Sequence, residues 1–256
     1  MITKEDTYVL YTSVTAPTGR KLVESLGCSG GRNLPHSRFK YIINWGKNLA
    51  NSPRSTSVEK VLNTPSKIDN ASNKFKSLCM MRENGVYVPD FYPASEIKQS
   101  SLTFPFVGRI NRRHSGRGFW LCVQKKDVEL SLKNGADYYL KFIPIEREFR
   151  MHIFEDKVIR ATEKVEDEEQ NRNPDLHIRS ISKGWKFQKI LVSGTPSLVK
   201  EQARKAVKSL ELDFGAVDIL LGEDGKVYVI EVNTGPSLND TGLDIYLNKI
   251  KTYIDG

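Results

Sequence analysis

Two hydrophobic periods alternate along the chain. Apolar positions spaced by two in YVLYTS (8–13) and KYIINWG (40–46) predict short strands, and between them PTGRKLVESLG (17–27) predicts a helix opened by Pro17 and closed by Gly27. Residues 48–57 are mostly polar, with Asn, Ser and Pro, and read as surface loop. The next helix is expected from a cap at Asn70 to Glu83, with Phe75, Leu78 and Cys79 on one face and Gly85 stopping it. A lobe boundary is placed near residue 68. FPFVGRI and FWLCV then flank the glycine-bearing loop HSGRG as a hairpin, with Phe119 and Trp120 assigned to core, and KKDVELSLKNG is a short helix ended by Gly135.

The second half reads as antiparallel. After a strand YYLKFI (138–143) come EFRMHIF and KVIRATEK. A three-residue turn at 155–157 would set Ile153 against Ile159 and Met151 against Ala161 on a core face. The same register puts Glu148, Arg150 and His152 opposite Lys164, Thr162 and Arg160 on a charged one. Thr195 is expected to cap, and Pro196 to open, a helix through Leu210 that buries Leu198, Val199, Ala203, Ala206 and Val207. Leu243, Tyr246, Leu247, Ile250, Tyr253 and Ile254 mark a C-terminal amphipathic helix. The pattern is α+β, divided at 1–68, 69–138 and 139–256.

Composition narrows this little. With 256 residues, 39% apolar and 27% charged, the chain has the profile of an ordinary globular protein. Its three cysteines, Cys28, Cys79 and Cys122, show neither paired nor zinc-ligand spacing, which fits a reducing cytoplasm. No export signal or membrane-length apolar run is present, so a soluble, unexported protein is expected. The net charge of +8 suits nucleotides, an acidic partner or nucleic acid; the basic residues are spread along the chain, so nucleic acid is the less favoured reading.

Candidate chemistry concentrates in DFGAVDILLGEDGKVYVIEVNTGPSL (213–238), where GEDG is a turn between two strands. Glu231 and Asn233, two apart, share a face. An even-length turn would set Asp218 opposite Val229 on that face, one diagonal step from Glu231, whereas a three-residue turn would send it to the other side. Two carboxylates and an amide oxygen suit a hard cation such as magnesium, with open positions for phosphate oxygens; alternatively the acids pair with lysines on a solvated face. The following Asn-Thr-Gly-Pro-Ser run can hold an anion on free backbone N–H groups. Upstream, Arg109 ends an apolar strand, and Ser115, Gly116 and Gly118 form a loop that lets backbone approach phosphate amid Arg112, Arg113 and Arg117, although a glycine pair between strands is commonly only a turn. His114 in that loop reads as a surface or hydrogen-bonding residue.

The order Arg109, glycine loop, YLKFI, EFR, DFGAVDI, IEVNTGPSL resembles the ATP-grasp superfamily over about residues 70 to 240, especially its glutamate-ligase and D-alanine-ligase branch. HSGRG and IRSISKGWKF are similar to small ATP-grasp proteins of bacteriophage genomes, which would place the protein in a host cytoplasm. The resemblance implies an ATP-grasp fold with the nucleotide between two α+β lobes and a short N-terminal α/β lobe. It implies ATP and two magnesium ions, with Asp218, Glu231 and Asn233 as metal ligands. Arg109, where the family usually has lysine, would meet the α- and β-phosphates; Ser115, Gly116 and Gly118 match the loop over the triphosphate, and main-chain groups of Lys141, Phe142 and Ile143 the adenine hinge. Glu148 matches the ribose acid and Arg150 the arginine beside the transferred phosphate. Lys74 sits where the family often has Asp-Lys, with Asn73 in place of the acid. Arg179, Asn233 and Ser237 fall toward the substrate. The activity implied is carboxylate–amine ligation through an acyl phosphate, the substrates being a carboxylate and an amine from a small molecule or a protein, with Arg109 and Arg150 assisting the chemistry. An ATP-grasp phosphotransferase and a non-catalytic nucleotide or nucleic-acid binding module are the alternatives.

Overall fold

Three sheets succeed one another along the chain. In this computed structural model, residues 6–33, 39–48, 58, 60–97, 103–111, 118–169, 173–177 and 179–255 are described. β1 (Thr7–Tyr11), β2 (Ser29–Gly31), β3 (Tyr41–Trp45) and β4 (Lys60–Leu62) form a parallel sheet in the order β2-β1-β3-β4, with α1 (Ala16–Leu26) crossing between its first two strands. After α2 (Pro65–Ser72) and α3 (Lys74–Glu83), β5 (Phe91–Pro93), β6 (Phe106–Arg109), β7 (Phe119–Cys122) and β8 (Tyr138–Lys141) make an antiparallel sheet ordered β5-β8-β6-β7; α4 (Lys125–Lys133) lies between β7 and β8. The third sheet, β11-β10-β9-β12-β13, joins β9 (Ile145–Phe154), β10 (Lys157–Glu166), β11 (Trp185–Ile190), β12 (Phe214–Gly222) and β13 (Val227–Asn233). Its helices are α5 (Ser197–Ser209) and α6 (Asp240–Asp255). No described helix is long and apolar enough to cross a membrane.

Several local expectations are corrected. Asn70 lies inside α2; the cap of the following helix is Asn73, whose side chain accepts the Lys76 N–H at 3.1 Å, because Pro65 had already started a separate helix. Thr195 does not cap α5: its hydroxyl donates to the Leu191 carbonyl, and Pro196 takes the cap position. Leu198 is exposed, one position off the buried stripe of Val199, Ala203, Ala206 and Val207. Phe119 and Trp120 are half-buried; Trp120 packs on the second sheet's core, whereas Phe119 turns its ring toward Arg109. The three-residue strands β2, β4 and β5 carried too few alternating positions to be predicted, and β11 was also not predicted.

One face of the third sheet is core. Phe149, Met151, Ile153, Val217, Ile219, Val229 and Val232 pack on α5 and on Leu78 and Met81 of α3. The other face is polar over the middle of β9, β10, β12 and β13, and its turns are not those expected. Glu155 and Asp156 form a two-residue turn in which both have positive φ (44° and 60°), the backbone that matches strand twist, so Val158 rather than Ile159 meets Ile153. A bulge at Ile159 then restores Arg160 opposite His152, Ala161 opposite Met151 and Thr162 opposite Arg150. Likewise the Glu223-Asp224-Gly225 turn is three residues long, pairing Ile219 with Val229, and a bulge at Ile230 returns Asp218 to a position directly opposite Glu231. The predicted diagonal placement of Asp218 through an even turn is therefore replaced by direct pairing through an odd turn and a bulge.

The polar face is closed at one end by aromatics. Phe154 and Phe214 are paired across β9 and β12, and their rings stack 5.9 Å apart. Trp45 of β3 stacks on Phe214 at 5.1 Å, and Tyr246 of α6 meets Trp45 edge-on. This wall seats the parallel sheet on the third one. Beside it, buried Asn63, held at φ 57°, donates from Nδ2 to the Phe214 carbonyl and accepts the Asp213 N–H, while its own N–H donates to the Asp213 carboxylate at 2.6 Å. Asn63→Ala removes the side-chain bonds and places alanine in the left-handed region, so a loss of about 1–3 kcal/mol is expected in a urea titration. An unchanged midpoint would show that the clip is dispensable.

Candidate active site

The polar face is organised in rungs across the sheet. The central one runs Thr162, Arg150, Asp218, Glu231, each residue paired with the next. Arg150 Nε and Nη2 donate to the two Asp218 carboxylate oxygens at 2.6 and 2.8 Å, and Asn233 Nδ2 donates to Oδ2 at 3.1 Å. Burial alone would raise the Asp218 carboxyl, but Arg150 outweighs it, helped by Lys164 and Asn233, and holds it below the ordinary carboxylate range. Arg150 also lies over the Phe187 ring at 4.3 Å, a face-on contact that a planar guanidinium favours.

The next rung, on the side away from the aromatic wall, holds Glu148, ion-paired with Lys164, whose ammonium also donates to the Arg179 carbonyl at 2.7 Å. Burial pushes the Glu148 carboxyl up against the pull of Lys164. Arg179 donates from Nη2 to the Ile145 carbonyl and stacks over Trp185 at 4.4 Å. Its Nε is buried and has no hydrogen-bond partner.

From the opposing side the second sheet and α3 bring cations. Lys74, in the first turn of α3, places Nζ 3.3 Å from both Glu231 carboxylate oxygens. Desolvation lowers its pKa against the pull of Glu231, and the charge of Arg109 lowers it further, which puts Arg109 in the same field. The Arg109 Nε is buried with no partner. The loop after β6 is anchored at its base: Asn111 accepts the Phe75 N–H and gives its own N–H to Asp137, and Ile110 N–H donates to the Gly118 carbonyl. Gly118 has φ 70° and a Cβ there would strike Ile110, so glycine is required. Ser115 and Gly116 lie outside the described residues, as do Arg112, Arg113, His114 and Arg117.

Of the hinge residues, Lys141 and Phe142 have their N–H groups committed to the Asp90 and Pro105 carbonyls, and the Lys141 ammonium bonds the Thr103 carbonyl. Ile143 is the hinge residue whose N–H is not so committed among the described residues. In the NTGPSL loop, Gly235 packs against the main chain of Trp45 and the Thr15 methyl, leaving no room for a Cβ, while Ser237 is exposed. The loop thus touches the carboxyl ends of β1 and β3, where ligands of parallel sheets collect.

Asp218, Glu231 and Asn233 therefore meet, as do Lys74, Arg109 and Arg150 around them. The donors are hard oxygens, but among the described residues no three His, Cys, Asp or Glu side chains surround a common point, and both Asp218 oxygens already accept from Arg150. Such a set suits a cation that takes most of its ligands from phosphate and water. The unbonded Nε atoms of Arg109 and Arg179 fit an anionic ligand. Lys164, which the sequence reading set opposite Glu148 without giving it a role in the site, ion-pairs with that acid.

Similar proteins are found among both sequences and solved structures. A D-alanine--D-alanine ligase of Thermotoga sp. (strain RQ2) is 32% identical over 167 residues, covering 61% of this chain and 54% of the relative. A probable alpha-L-glutamate ligase of Haemophilus influenzae (strain PittEE) is 23% identical over 200 residues, covering 72% and 64%. The chain thus spans about half the length of the curated relatives it first matches. Among solved structures, the ATP-grasp ligase PsnB complexed with minimal precursor superposes with TM-score 0.71 at 15% identity over 97% of this chain and 99% of that one. D-alanine--D-alanine ligase from Bacillus anthracis superposes with TM-score 0.70 at 16% identity over 98% and 96%. The RimK-like ATP-grasp domain matches residues 71–255, a stretch that holds every described residue of the rungs and of the cationic set facing them, and the chain belongs to that family.

Proposed function

We propose that the protein is an ATP-dependent carboxylate–amine ligase. The observation that carries this reading is the Arg150–Asp218–Glu231 rung, with Lys74 of α3 on Glu231 and Arg109 of the second sheet close enough to act on Lys74. In the reaction a substrate carboxylate attacks the terminal phosphorus of ATP, the bond to ADP breaks, and an amine then forms the C–N bond as phosphate leaves. Magnesium, when bound, neutralises phosphate charge, and Glu231, Asn233 and the remaining lone pairs of Asp218 would hold it, as one ion or two.

Little covalent help is needed, so the residues act by position and charge. Lys74 and Arg109 take the phosphates, Arg150 stands beside the transferred group, Glu148 lies toward the ribose, and the Ile143 main chain faces the adenine. Arg179 and Ser237 lie on the substrate side. We further propose that residues 69–138 and 139–256 are the nucleotide-holding lobes, that 1–68 contributes to the acceptor side, and that the free cysteines accord with a cytoplasmic setting.

The test is incubation with Mg-ATP, amino acids and peptides, with mass spectrometry for a condensation product and hydroxylamine to trap the acyl phosphate. ATP consumption with a phosphorylated acceptor and no hydroxamate would indicate a phosphotransferase instead. Lys74→Met is expected to weaken nucleotide binding about 10-fold, roughly 1.4 kcal/mol, measured by calorimetry. Unchanged affinity would remove Lys74 from the phosphate site.

A further inference from the structure

Three tyrosines are buried among the described residues, and two of them have partners for their hydroxyls. The Tyr139 hydroxyl meets Ser131 Oγ at 2.7 Å and the Val128 carbonyl at 3.3 Å. That of Tyr246 meets His152 Nδ1 at 3.2 Å. Tyr138 is only 2% exposed, yet its hydroxyl makes no hydrogen bond among the described residues. Nor is that oxygen sealed in, as the unbonded Nε of Arg109 is. Buried tyrosine hydroxyls ordinarily find a partner, so an open one calls for a ligand.

Its place on the second sheet indicates which ligand. Tyr138 on β8 pairs directly with Arg109 on β6, so the two side chains leave the sheet on one face. Tyr139, the next residue, points the other way, into the core with Phe106, Cys122 and Val128. The Tyr138 ring meets that of Phe75 at 5.9 Å, and Phe75 follows Lys74 in the first turn of α3. This contact seats the ring on the side where Lys74 reaches Glu231. Burial pushes the Tyr138 pKa up to about 12, and the charges of Arg109, Glu231 and Asp137 act on it as well, so the hydroxyl keeps its proton at neutral pH. Both acids already have donors: Glu231 holds Lys74, and Asp137 accepts the Asn111 N–H. A donor left without a protein acceptor beside Arg109 suits an anion.

We propose that the Tyr138 hydroxyl donates a hydrogen bond to the nucleotide phosphate that Arg109 takes, a neutral ligand added to the cations Lys74 and Arg109; this rests on the ligase reading above. Arg109 supplies charge, and the hydroxyl supplies direction. Ile143, whose main chain faces the adenine, stands five residues further on, more than about 10 Å along an extended chain. Tyr138 is therefore at the phosphate end of the nucleotide. Its ring is already held against Phe75, so little freedom is lost when the phosphate arrives.

The experiment is a calorimetric titration of Mg-ADP into the wild type and two variants of adjacent residues, with adenosine as the phosphate-free control, read by its displacement of ADP. Tyr138→Phe keeps the ring on Phe75 and is expected to raise the ADP Kd about 10-fold, with adenosine affinity unchanged. The Tm of its nucleotide-free form should be equal to that of the wild type or higher, since the hydroxyl removed has no partner. Tyr139→Phe strips a paired hydroxyl from the other face and should do the reverse, lowering Tm and leaving the ADP Kd as it was. Failure of the wild type to bind ADP, equal ADP affinity in wild type and Tyr138→Phe, the same loss for adenosine as for ADP, an equal ADP loss in Tyr139→Phe, or a marked fall in Tm for Tyr138→Phe would each overturn the assignment. Hydroxamate formation by the wild type is read separately: Tyr138-dependent ADP binding without it leaves the phosphate ligand standing and the ligase reading lost, and the reverse result does the opposite.

Discussion

Asp218→Ala is expected to lower turnover by about 10²–10³-fold and stability by about 3–5 kcal/mol, because it leaves the Arg150 guanidinium buried without its bidentate partner. Asp218 also aligns Arg150 and meets Asn233, so its removal disorders the rung that faces the phosphates. The double substitution Asp218→Leu with Arg150→Met takes out both charges, and should recover much of the stability but none of the turnover. The same pair sets the acid limit of the fold. Since Arg150 holds the Asp218 carboxyl below its ordinary value, its stabilisation is complete above the unfolded pKa near ~3.9 and is lost as pH falls through the lower folded value. A pH series of urea midpoints should therefore show the Asp218→Asn deficit near neutrality and its disappearance in strong acid. Undiminished turnover in Asp218→Ala, or a double variant as unstable as the single, would contradict this account.

Phe214→Ala should cost about 3–5 kcal/mol, the range for deleting a fully buried ring. Phe214 has no exposed surface, stacks on Trp45 and Phe154, and meets Tyr246 edge-on. The ring joins all three contributors to the wall, so its loss loosens the parallel sheet from the third sheet as well as opening a cavity. Phe214→Leu, which keeps most of the volume, should cost less than half as much. Urea titration measures both, and a loss under about 1 kcal/mol for alanine would show that the wall repacks without it.

Much of this arrangement was legible before any coordinates. Pro17 and Gly27 bound α1, with Gly27 in the left-handed conformation that ends helices. The stripe Leu243, Tyr246, Leu247, Ile250 is the buried side of α6. EFRMHIF and KVIRATEK do divide into a core side and a charged side, as their alternation indicated. What misled the reading was turn length: both hairpins have turns of the other parity, and each recovers its register through one extra residue, Ile159 or Ile230. A trace of this was present in the sequence, since the core-facing positions slip from a spacing of two to three between Val158 and Ala161 and between Val229 and Val232.

The sequence by itself determined which residue types are available, their order, and the periods that make helices and strands, because local backbone preferences and side-chain alternation depend only on near neighbours. Only the tertiary structure decided which face Asp218 takes, since a bulge is chosen to keep Val217, Ile219, Val229 and Val232 against α5. It alone decided that Lys74 reaches Glu231 across 157 positions and that Arg160 lies buried without an acid. Contacts between distant segments follow from the packing of whole faces, and no local pattern encodes them.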